Sequence, residues 1–306
     1  MSGRISGLKA YVQATMRQQA IPPEMEQSLA KEFVHLHILS SLSAAGVLDR
    51  VVFQGGTALR LCHGGDRYSE DLDFVCGTRG DYVADVDFQE IVEKGMKAAA
   101  HALESRFGLV PEAIAVKSPQ DPAGIAGDEV HVAAWQLVVP LEPTPRSPKS
   151  RIKVEFANVP SYDHAPRPIR SSIRLTGLPT TILRAETPRE ILADKAVALT
   201  ARAALKHRDV WDVWFLTEDL KAKLDLDLVT RKFADYGVAT VAERVEARIA
   251  ELATPEAEAG FLSEMARFLP AQQVAQMNRF GMHRAMLGAS ADLLRQVAPA
   301  LATTPR

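Results

Sequence analysis

Cysteine is scarce in this chain: Cys62 and Cys76 are its two cysteines among 306 residues. Two cysteines cannot form a disulfide framework, and these two lack the paired spacing of a metal-binding motif. We therefore expect both to be free thiols. The histidines are equally uninformative, since His63 and His207 lie near motifs described below but have no ligand-like partners.

Long hydrophobic runs are also absent. No apolar stretch approaches the roughly 20 residues that cross a bilayer, and residues 1–4 introduce no apolar signal core. We therefore expect a protein of the cytoplasm that does not insert into a membrane. Its hydrophobic share of 47% and its charged share of 24% allow a sizeable core, which at this length predicts two lobes.

Charge of one sign is not in excess, because the formal net charge is −2. This value argues against a generally basic surface for nucleic acid but leaves a local patch open. Residues 146–184 are such a candidate, with eight basic residues against Glu155 and Asp163, a net charge of +6. The basic residues of this window are Arg146, Lys149, Arg151, Lys153, Arg167, Arg170, Arg174 and Arg184. Its prolines predict an irregular loop, which either binds RNA phosphates beside Glu155 or is kept in solution by its arginines.

A glycine pair between a short apolar run and a helical run predicts a phosphate-binding turn. Residues 51–54 have the pattern of a buried strand, and residues 57–62 have that of a helix. Gly55 and Gly56 allow a tight turn whose backbone N–H groups approach an anion, and the helix N-terminus adds its dipole. We therefore predict that Gly55, Gly56 and Thr57 bind nucleotide phosphates.

Two carboxylates follow on a predicted strand. Within residues 67–74, Asp71 and Asp73 share one face while the apolar residues between and after them share the other. Two carboxylates on one strand face are suited to a divalent metal ion. Arg67 and Ser69 precede this strand, where a guanidinium and a hydroxyl are suited to the β- and γ-phosphates of a nucleotide.

A third carboxylate is predicted at Glu155. Residues 150–156 alternate between apolar side chains on one face and Arg151, Lys153 and Glu155 on the other, which is typical of a half-buried strand. Glu155 is therefore either a third metal ligand or part of a solvated strand face with a cross-strand ion pair.

These parts together match the needs of nucleotidyl transfer. A nucleoside triphosphate carries several negative charges, and its α-phosphorus must be attacked in line. Two Mg²⁺ ions held by Asp71, Asp73 and Glu155 would bridge the triphosphate and lower the pKa of the attacking hydroxyl. The sequence therefore predicts Mg²⁺ as the cofactor and an NTP as one substrate.

Lys195 lies on the apolar stripe of a predicted helix. Residues 187–190 form a capping box with proline at the first helical position, so we expect a helix from there to about Leu205. Lys195 is three and four residues from Leu192 and Leu199, on the stripe rather than opposite it. Its ammonium either extends to the helix edge or enters a cleft and meets the triphosphate.

A further helix, predicted over residues 208–219, contains two aspartates near one face. Asp209 either caps this helix or orients Lys195 and the attacking end of the acceptor. We expect Asp212 to be structural and to pair with Arg208 at the surface.

Three of these motifs resemble those of the AbiEii/AbiGii toxin family of nucleotidyltransferases, which includes the mycobacterial MenT toxins. The similar segments are residues 55–60 with Arg67, Ser69, Asp71 and Asp73; residues 190–196, which contain Lys195; and residues 206–216, which contain Asp209. Relatives often carry aspartate as the third acid, where this chain offers Glu155. The resemblance favours Asp209 in the site. It implies a toxin that transfers NMP from an NTP, in several members to the 3′ end of tRNA, and that is encoded beside a neutralising antitoxin.

The expected fold class is α+β, with two domains. Residues 1–185 would form a nucleotidyltransferase-type mixed sheet with flanking helices, and residues 186–306 a mostly helical lobe that contributes Lys195 and Asp209 to the cleft. Three functions stay open: a toxin that modifies tRNA and blocks translation, an enzyme of the same fold acting on a small molecule or a protein hydroxyl, and a catalytically silent nucleotide-binding protein. Intact Asp71, Asp73 and Lys195 disfavour the third, and the +6 window favours the first.

Overall fold

The computed structural model describes residues 7–76, 85–117, 130–142, 144, 147, 149–171 and 179–302. The chain divides into two compact units. Unit 1 is Met1–Gly127 with His131–Ala185, and unit 2 is Asp128–Val130 with Glu186–Arg306. The fold class is the expected α+β, with a mixed sheet and flanking helices in unit 1 and helices in unit 2.

The described part of unit 1 contains four α-helices and a seven-stranded sheet. The helices are α1 Leu8–Gln19, α2 Glu26–Ala44, α3 Gly55–His63 and α4 Val86–Phe107. The strands are β1 Val51–Gln54, β2 Leu72–Cys76, β3 Glu112–Lys117, β4 Val132–Pro140, β5 Lys149–Pro160, β6 His164–Pro168 and β7 Ile182–Glu186. Helix α4 ends at a glycine, because Gly108 follows it in the left-handed conformation.

The sheet is mixed, with the strand order β3-β4-β5-β2-β1-β7-β6. Strand β1 pairs antiparallel with β2 and parallel with β7. Strand β2 pairs parallel with β5, and β4 pairs antiparallel with both β3 and β5. Strands β1, β2 and β5 are therefore neighbours although β5 lies about 75 residues further along the chain.

Alternation along these strands separates an apolar face from a polar face. The apolar face includes Phe53, Phe74 and Phe156, which are buried and belong to the same core cluster as side chains of α2 and α4. The Phe74 ring lies 5.0 Å from the Phe53 ring and 5.1 Å from the Phe156 ring. Because successive side chains point to opposite faces, burial of these rings directs Asp73 and Glu155 to the other face.

Unit 2 is helical in its described residues after the end of β7. Its helices are α5 Pro188–Ala201, α6 His207–Trp214, α7 Leu226–Asp235, α8 Val241–Leu252, α9 Pro255–Met265, α10 Ala271–Arg279 and α11 Met282–Ala302. Helix α6 continues into a π-helical turn, Phe215–Asp219. Among the described residues, no helix has both the length and the hydrophobicity that crossing a bilayer requires.

Helix α5 starts as predicted but ends earlier. The Thr187 hydroxyl accepts a hydrogen bond from the Glu190 amide, and Pro188 is the first helical residue. The predicted end near Leu205 is wrong, because α5 ends at Ala201 and Arg202 is extended. The guanidinium of Arg248, from α8, donates to the carbonyls of Leu199 and Arg202 and so satisfies the end of the helix.

Strand β6 replaces part of the predicted irregular loop. Residues Pro166 and Pro168 lie in this strand, which is at the edge of the sheet. Proline is tolerated there because an edge strand does not need every N–H for pairing. The basic window therefore contains the strands β5 and β6. Two basic residues of the window, Arg146 and Arg174, lie outside the described residues.

Candidate active site

The glycine pair forms the tight turn that the sequence predicts. Gln54 ends β1 in an extended conformation, and Gly55 follows with a φ of 75° at the start of α3. A Cβ atom at Gly55 would lie 3.0 Å from Oδ2 of Asp73. Glycine is needed here for its positive φ and because the backbone approaches a carboxylate so closely.

Gly56 has an equally close neighbour in Arg67. A Cβ atom at Gly56 would lie 2.3 Å from Nη2 of Arg67, which is closer than any real contact of this kind. Arg67 is 3% exposed, and its Nη1 donates to the carbonyl of Tyr68 at 3.1 Å. The guanidinium therefore lies against the glycine turn as a buried positive charge, and its contact with phosphate stays a prediction.

Thr57 and Ser69 occupy different environments beside the turn. Thr57 is buried, and its hydroxyl donates to the carbonyl of Asp71. This hydrogen bond holds the backbone of Asp71, the residue that precedes β2. Ser69 is half-buried in the loop between α3 and β2. The phosphate-binding roles of Thr57 and Ser69 stay predictions.

Two of the three predicted metal ligands lie on adjacent strands of the polar sheet face. Asp73 is the register partner of Glu155 in the parallel pairing of β2 and β5. Asp71 lies immediately before β2, and its Oδ1 accepts a hydrogen bond from the Lys153 amide at 3.2 Å. Lys153 Nζ lies 2.6 Å from Oε1 of Glu155. Glu155 thus makes an ion pair within its own strand rather than the cross-strand pair that the sequence left open.

The chemistry of this face fits a divalent cation. Asp71, Asp73 and Glu155 offer oxygen ligands alone, which is the ligand type that Mg²⁺ prefers. Lys153 balances one of these charges at Glu155, whose side chain is 31% exposed. Register pairing brings Asp73 and Glu155 to neighbouring positions, and the missing side chain of Gly55 leaves space beside Asp73 Oδ2.

Asp71, Asp73 and Glu155 do not form a group of converged ligand atoms; among the described residues such a group lies in unit 2 instead. Among the described residues, the ligand atoms of Glu186, Glu190 and Asp194 lie within 4.8 Å of one another. The ammonium of Lys232 lies 3.5, 2.6 and 3.0 Å from these three carboxylates. Since this buried ammonium already supplies the cation, the geometry is that of a charge cluster rather than of a catalytic metal site.

The pKa shifts in this charge cluster follow its burial. Burial and the neighbouring Asp194 raise the pKa of Glu186 well above its usual value. Burial alone would lower the pKa of Lys232, but the surrounding carboxylates outweigh it and raise this pKa. The cluster therefore keeps a charged lysine and favours a protonated glutamate.

Lys195 is held between two aspartates of α6. Its Nζ lies 2.6 Å from Oδ1 of Asp209 and 2.7 Å from Oδ2 of Asp212. Arg202 forms a further ion pair with Asp209. Lys195 is 8% exposed and the two aspartates are 2% and 1% exposed. The sequence prediction that Asp209 orients Lys195 thus has a direct geometric counterpart, within unit 2.

Two alternatives for these aspartates are wrong. Lys206 is the N-cap of α6 and its side chain makes no capping hydrogen bond, whereas Asp209 is the third residue of the helix and so is not its cap. Asp212 is buried against Lys195 rather than placed at the surface. Burial would raise the pKa of Asp209, but Lys195 and Arg202 outweigh it and lower this pKa below its usual value.

Sequence reasoning missed two basic residues that contact the predicted site residues. Arg202 pairs with Asp209, and nothing in its sequence position indicates this, because it depends on the early end of α5. Lys153 pairs with Glu155, which its spacing of two residues on the same strand face does indicate.

Comparisons with known proteins give one family match and several similar solved structures. The sequence profile of the nucleotidyl transferase AbiEii toxins of type IV toxin–antitoxin systems matches residues 37–281. The fold is similar to that of MenT4, a nucleotidyltransferase toxin from Mycobacterium tuberculosis, with 20% identity and a TM-score of 0.55 over 95% of this chain and 98% of that one. A candidate nucleotidyltransferase from H. pylori has 17% identity and a TM-score of 0.49, over 92% of this chain and 99% of that one. Curated protein sequences give no match.

Proposed function

Because the chain belongs to the AbiEii family of nucleotidyltransferase toxins, we propose that it transfers NMP from an NTP to the 3′ end of tRNA. In this proposal the reaction depends on Mg²⁺, occurs in the cytoplasm, blocks translation and growth, and is countered by a cognate antitoxin. The family supports nucleotidyl transfer and an antitoxin partner. The acceptor, the metal and the residue roles are our proposal.

The observation that carries the proposal is the pairing of Asp73 with Glu155 beside the Gly55 turn. Asp71, Asp73 and Glu155 would hold Mg²⁺. The bound ions would supply positive charge to the triphosphate and to the attacking hydroxyl. The backbone of Gly55 and Gly56 would bind terminal phosphates from the N-terminus of α3.

Lys195 has a defined position for its proposed role. Two aspartates within 2.7 Å pair with its ammonium and fix its position on α5. We propose that this ammonium binds the triphosphate, with Asp209 as the group that orients it. Asp212 would share that orienting role, because it contacts the same nitrogen.

Basic residues support a polyanionic acceptor. Arg151 is exposed on β5, and Arg167 and Arg170 lie on and just after β6. In the sheet order, β5 lies beside β2 on one side, and β6 lies beyond β1 and β7 on the other. Strand β2 carries Asp73, and β1 leads into the glycine turn. An RNA that follows these basic side chains would pass the carboxylates.

The direct test is transfer of label from each of the four NTPs to total tRNA, for wild type, Asp71→Ala and Asp73→Ala. We expect Mg²⁺-dependent labelling of RNA by wild type and a loss of at least a hundred-fold in both variants. The fold should be retained, since removing one of several clustered carboxylates relieves repulsion. Asp87→Ala, which removes an exposed carboxylate from α4, is the matched control.

Each outcome has a separate meaning. Full transfer by both aspartate variants would contradict the metal assignment. Label on protein or on a small molecule, with none on RNA, would replace the acceptor by one of the alternatives from the sequence. Absence of NTP binding by wild type would contradict the proposed nucleotide site itself.

A further inference from the structure

Helix α2 contacts both ends of the loop that leads into the predicted metal strand. This loop, residues 64–71, joins α3 to β2 and contains Arg67, Ser69 and Asp71. Three side chains of α2, Lys31, Glu32 and His35, reach it directly or through one partner. They lie in unit 1, outside the predicted site residues.

The start of the loop is held through Arg60. Its Nε lies 2.8 Å from Oε2 of Glu32, and its Nη1 donates to the carbonyls of Gly65 at 3.2 Å and Asp66 at 2.7 Å. The same guanidinium lies over the ring of Tyr68, 4.1 Å from its centroid. One buried ion pair thus fixes two loop carbonyls and an aromatic ring.

The end of the loop is held at Glu70. Lys31 Nζ lies 2.7 Å from Oε1 of Glu70, and His35 Nε2 lies 3.0 Å from the Glu70 carbonyl. Burial lowers the pKa of His35 to about 4, so the ring is neutral at pH 7 and donates from Nε2 to this carbonyl. Asp71 follows directly, so these contacts fix the backbone that presents it.

Glu32 also contacts the basic window. Its second oxygen, Oε1, accepts a hydrogen bond from the Ser171 hydroxyl at 2.8 Å. The Arg170 amide donates to the carbonyl of Leu61 in α3 at 2.7 Å. Arg170 is therefore attached to α3 and Ser171 to α2, a few residues after Arg167.

We infer that Glu32 is a positioning residue that holds the 64–71 loop, through Arg60, and residues 169–171, through Ser171, in one fixed arrangement. This inference rests on the proposed function in assigning the first segment to the nucleotide and the second to the RNA acceptor. Glu32 is 3% exposed and uses one oxygen for each segment. Lys31 and His35 complete the attachment on the nucleotide side alone.

Stability by itself does not account for this arrangement. A buried ion pair adds little net stability, because its desolvation offsets most of its attraction. Glu32 and Arg60 join two segments that are about a hundred residues apart in sequence. The attachment therefore predicts separable effects on the two substrates, which a purely structural pair would not give.

The test compares Glu32→Gln, Lys31→Met and Ser171→Ala by hydrogen exchange and by steady-state transfer. Glu32→Gln should speed exchange at least ten-fold in peptides that cover both segments. Lys31→Met should speed exchange in the 64–71 loop alone, and Ser171→Ala should speed it in residues 167–171 alone. In transfer, Lys31→Met should raise the KM for NTP about ten-fold without changing that for tRNA. Ser171→Ala should raise the KM for tRNA without changing that for NTP, and Glu32→Gln should raise both KM values.

Two further variants make the result decisive. Lys97→Met removes an exposed lysine–glutamate pair from α4 and should behave as wild type. Lys31→Arg retains a cation for Glu70 and should restore the KM for NTP.

Unchanged exchange in both segments of Glu32→Gln would overturn the inference, and so would faster exchange with wild-type KM values. If wild type labels no RNA, the proposed acceptor fails. In that case hydrogen exchange and NTP affinity still test the inference about Glu32 without an RNA acceptor.

Discussion

Gly56 is the residue at which the proposed nucleotide turn is packed most tightly. In Gly56→Ala the new methyl group would displace the Arg67 guanidinium, which lies 2.3 Å from the Cβ position. Alanine in a helix is favoured over glycine by about 1 kcal/mol, which offsets part of the strain. We expect NTP affinity to fall at least ten-fold, measured by titration with labelled nucleotide, while the unfolding free energy changes by less than about 2 kcal/mol.

Gly288 provides a matched control in another helix. A Cβ atom there would have no heavy atom within 4 Å, so Gly288→Ala should raise stability by up to about 1 kcal/mol and leave NTP affinity unchanged. Equal NTP affinity in Gly56→Ala and wild type would show that the position of Arg67 does not matter for the nucleotide.

His37 is a buried histidine whose replacement should stabilise the protein. It is 2% exposed, and among the described residues neither ring nitrogen has a hydrogen-bond partner. Burial lowers its pKa from 6.5 to about 4. The unfolded chain therefore binds a proton between pH 6.5 and 4 that the folded chain does not, so stability is lost as pH falls through this window.

We expect His37→Leu to raise the unfolding free energy by about 1 kcal/mol at pH 7, because it removes buried unpaired nitrogens. It should also remove part of the loss of stability between pH 6.5 and 4, on the order of 2 kcal/mol. Denaturant unfolding at several pH values measures both. His101→Leu, at an exposed position of α4, should leave the pH profile unchanged.

At the level of elements, α5 and α7 meet through the charge cluster formed by Lys232 and three carboxylates. Lys232→Met would leave Glu186, Glu190 and Asp194 within 4.8 Å of one another without their cation. Removing one partner of a buried ion pair costs about 3 to 5 kcal/mol, and we expect that loss in the unfolding free energy at pH 7.

The pH dependence of this loss has a defined sign. The carboxylates without Lys232 would have raised pKa values in the folded state, so the folded protein would bind protons that the unfolded chain releases at neutral pH. The defect should therefore shrink as the pH is lowered toward 5. Lys221→Met, an exposed lysine paired with Glu218, should change stability by less than about 0.5 kcal/mol. A Lys232→Met protein as stable as wild type would contradict the cluster.

At the level of the whole molecule, the proposed RNA path predicts a salt dependence. Replacing Arg151, Arg167 and Arg170 with glutamine should weaken tRNA binding. The fall of log affinity with log salt concentration should also become less steep, by about one unit for each phosphate that is no longer neutralised. Filter binding at several salt concentrations, with Asp71→Ala present to prevent turnover, measures this. NTP affinity should barely change, because its phosphates are bound elsewhere.

Net charge alone must be excluded as the cause. Glutamine at Arg231, Arg279 and Arg295, three exposed arginines of unit 2, changes the net charge equally and serves as the control. Identical salt slopes for the two triple variants would remove β5 and β6 from the RNA path. Absence of tRNA binding by either would favour a small-molecule or protein acceptor.

The sequence by itself determined the elements and the spacing of the chemical groups. Alternation around Asp73 and Glu155 predicted two half-buried strands, and the capping box at Thr187 predicted the start of α5 to the residue. These features are local: side-chain direction follows from period 2 in strands, and a cap involves residues three apart. The motif order was also sufficient for the family.

Only the tertiary structure decided which charges meet. Asp212 was expected at the surface, yet it is buried against Lys195, because the packing of α6 on α5 rather than the local sequence sets its environment. Lys232 lies 38 residues from Asp194, and Glu32 lies 139 residues from Ser171, so no local pattern could pair them. Ion pairs depend on distances of a few ångströms between distant segments, and the packing of the core fixes those distances.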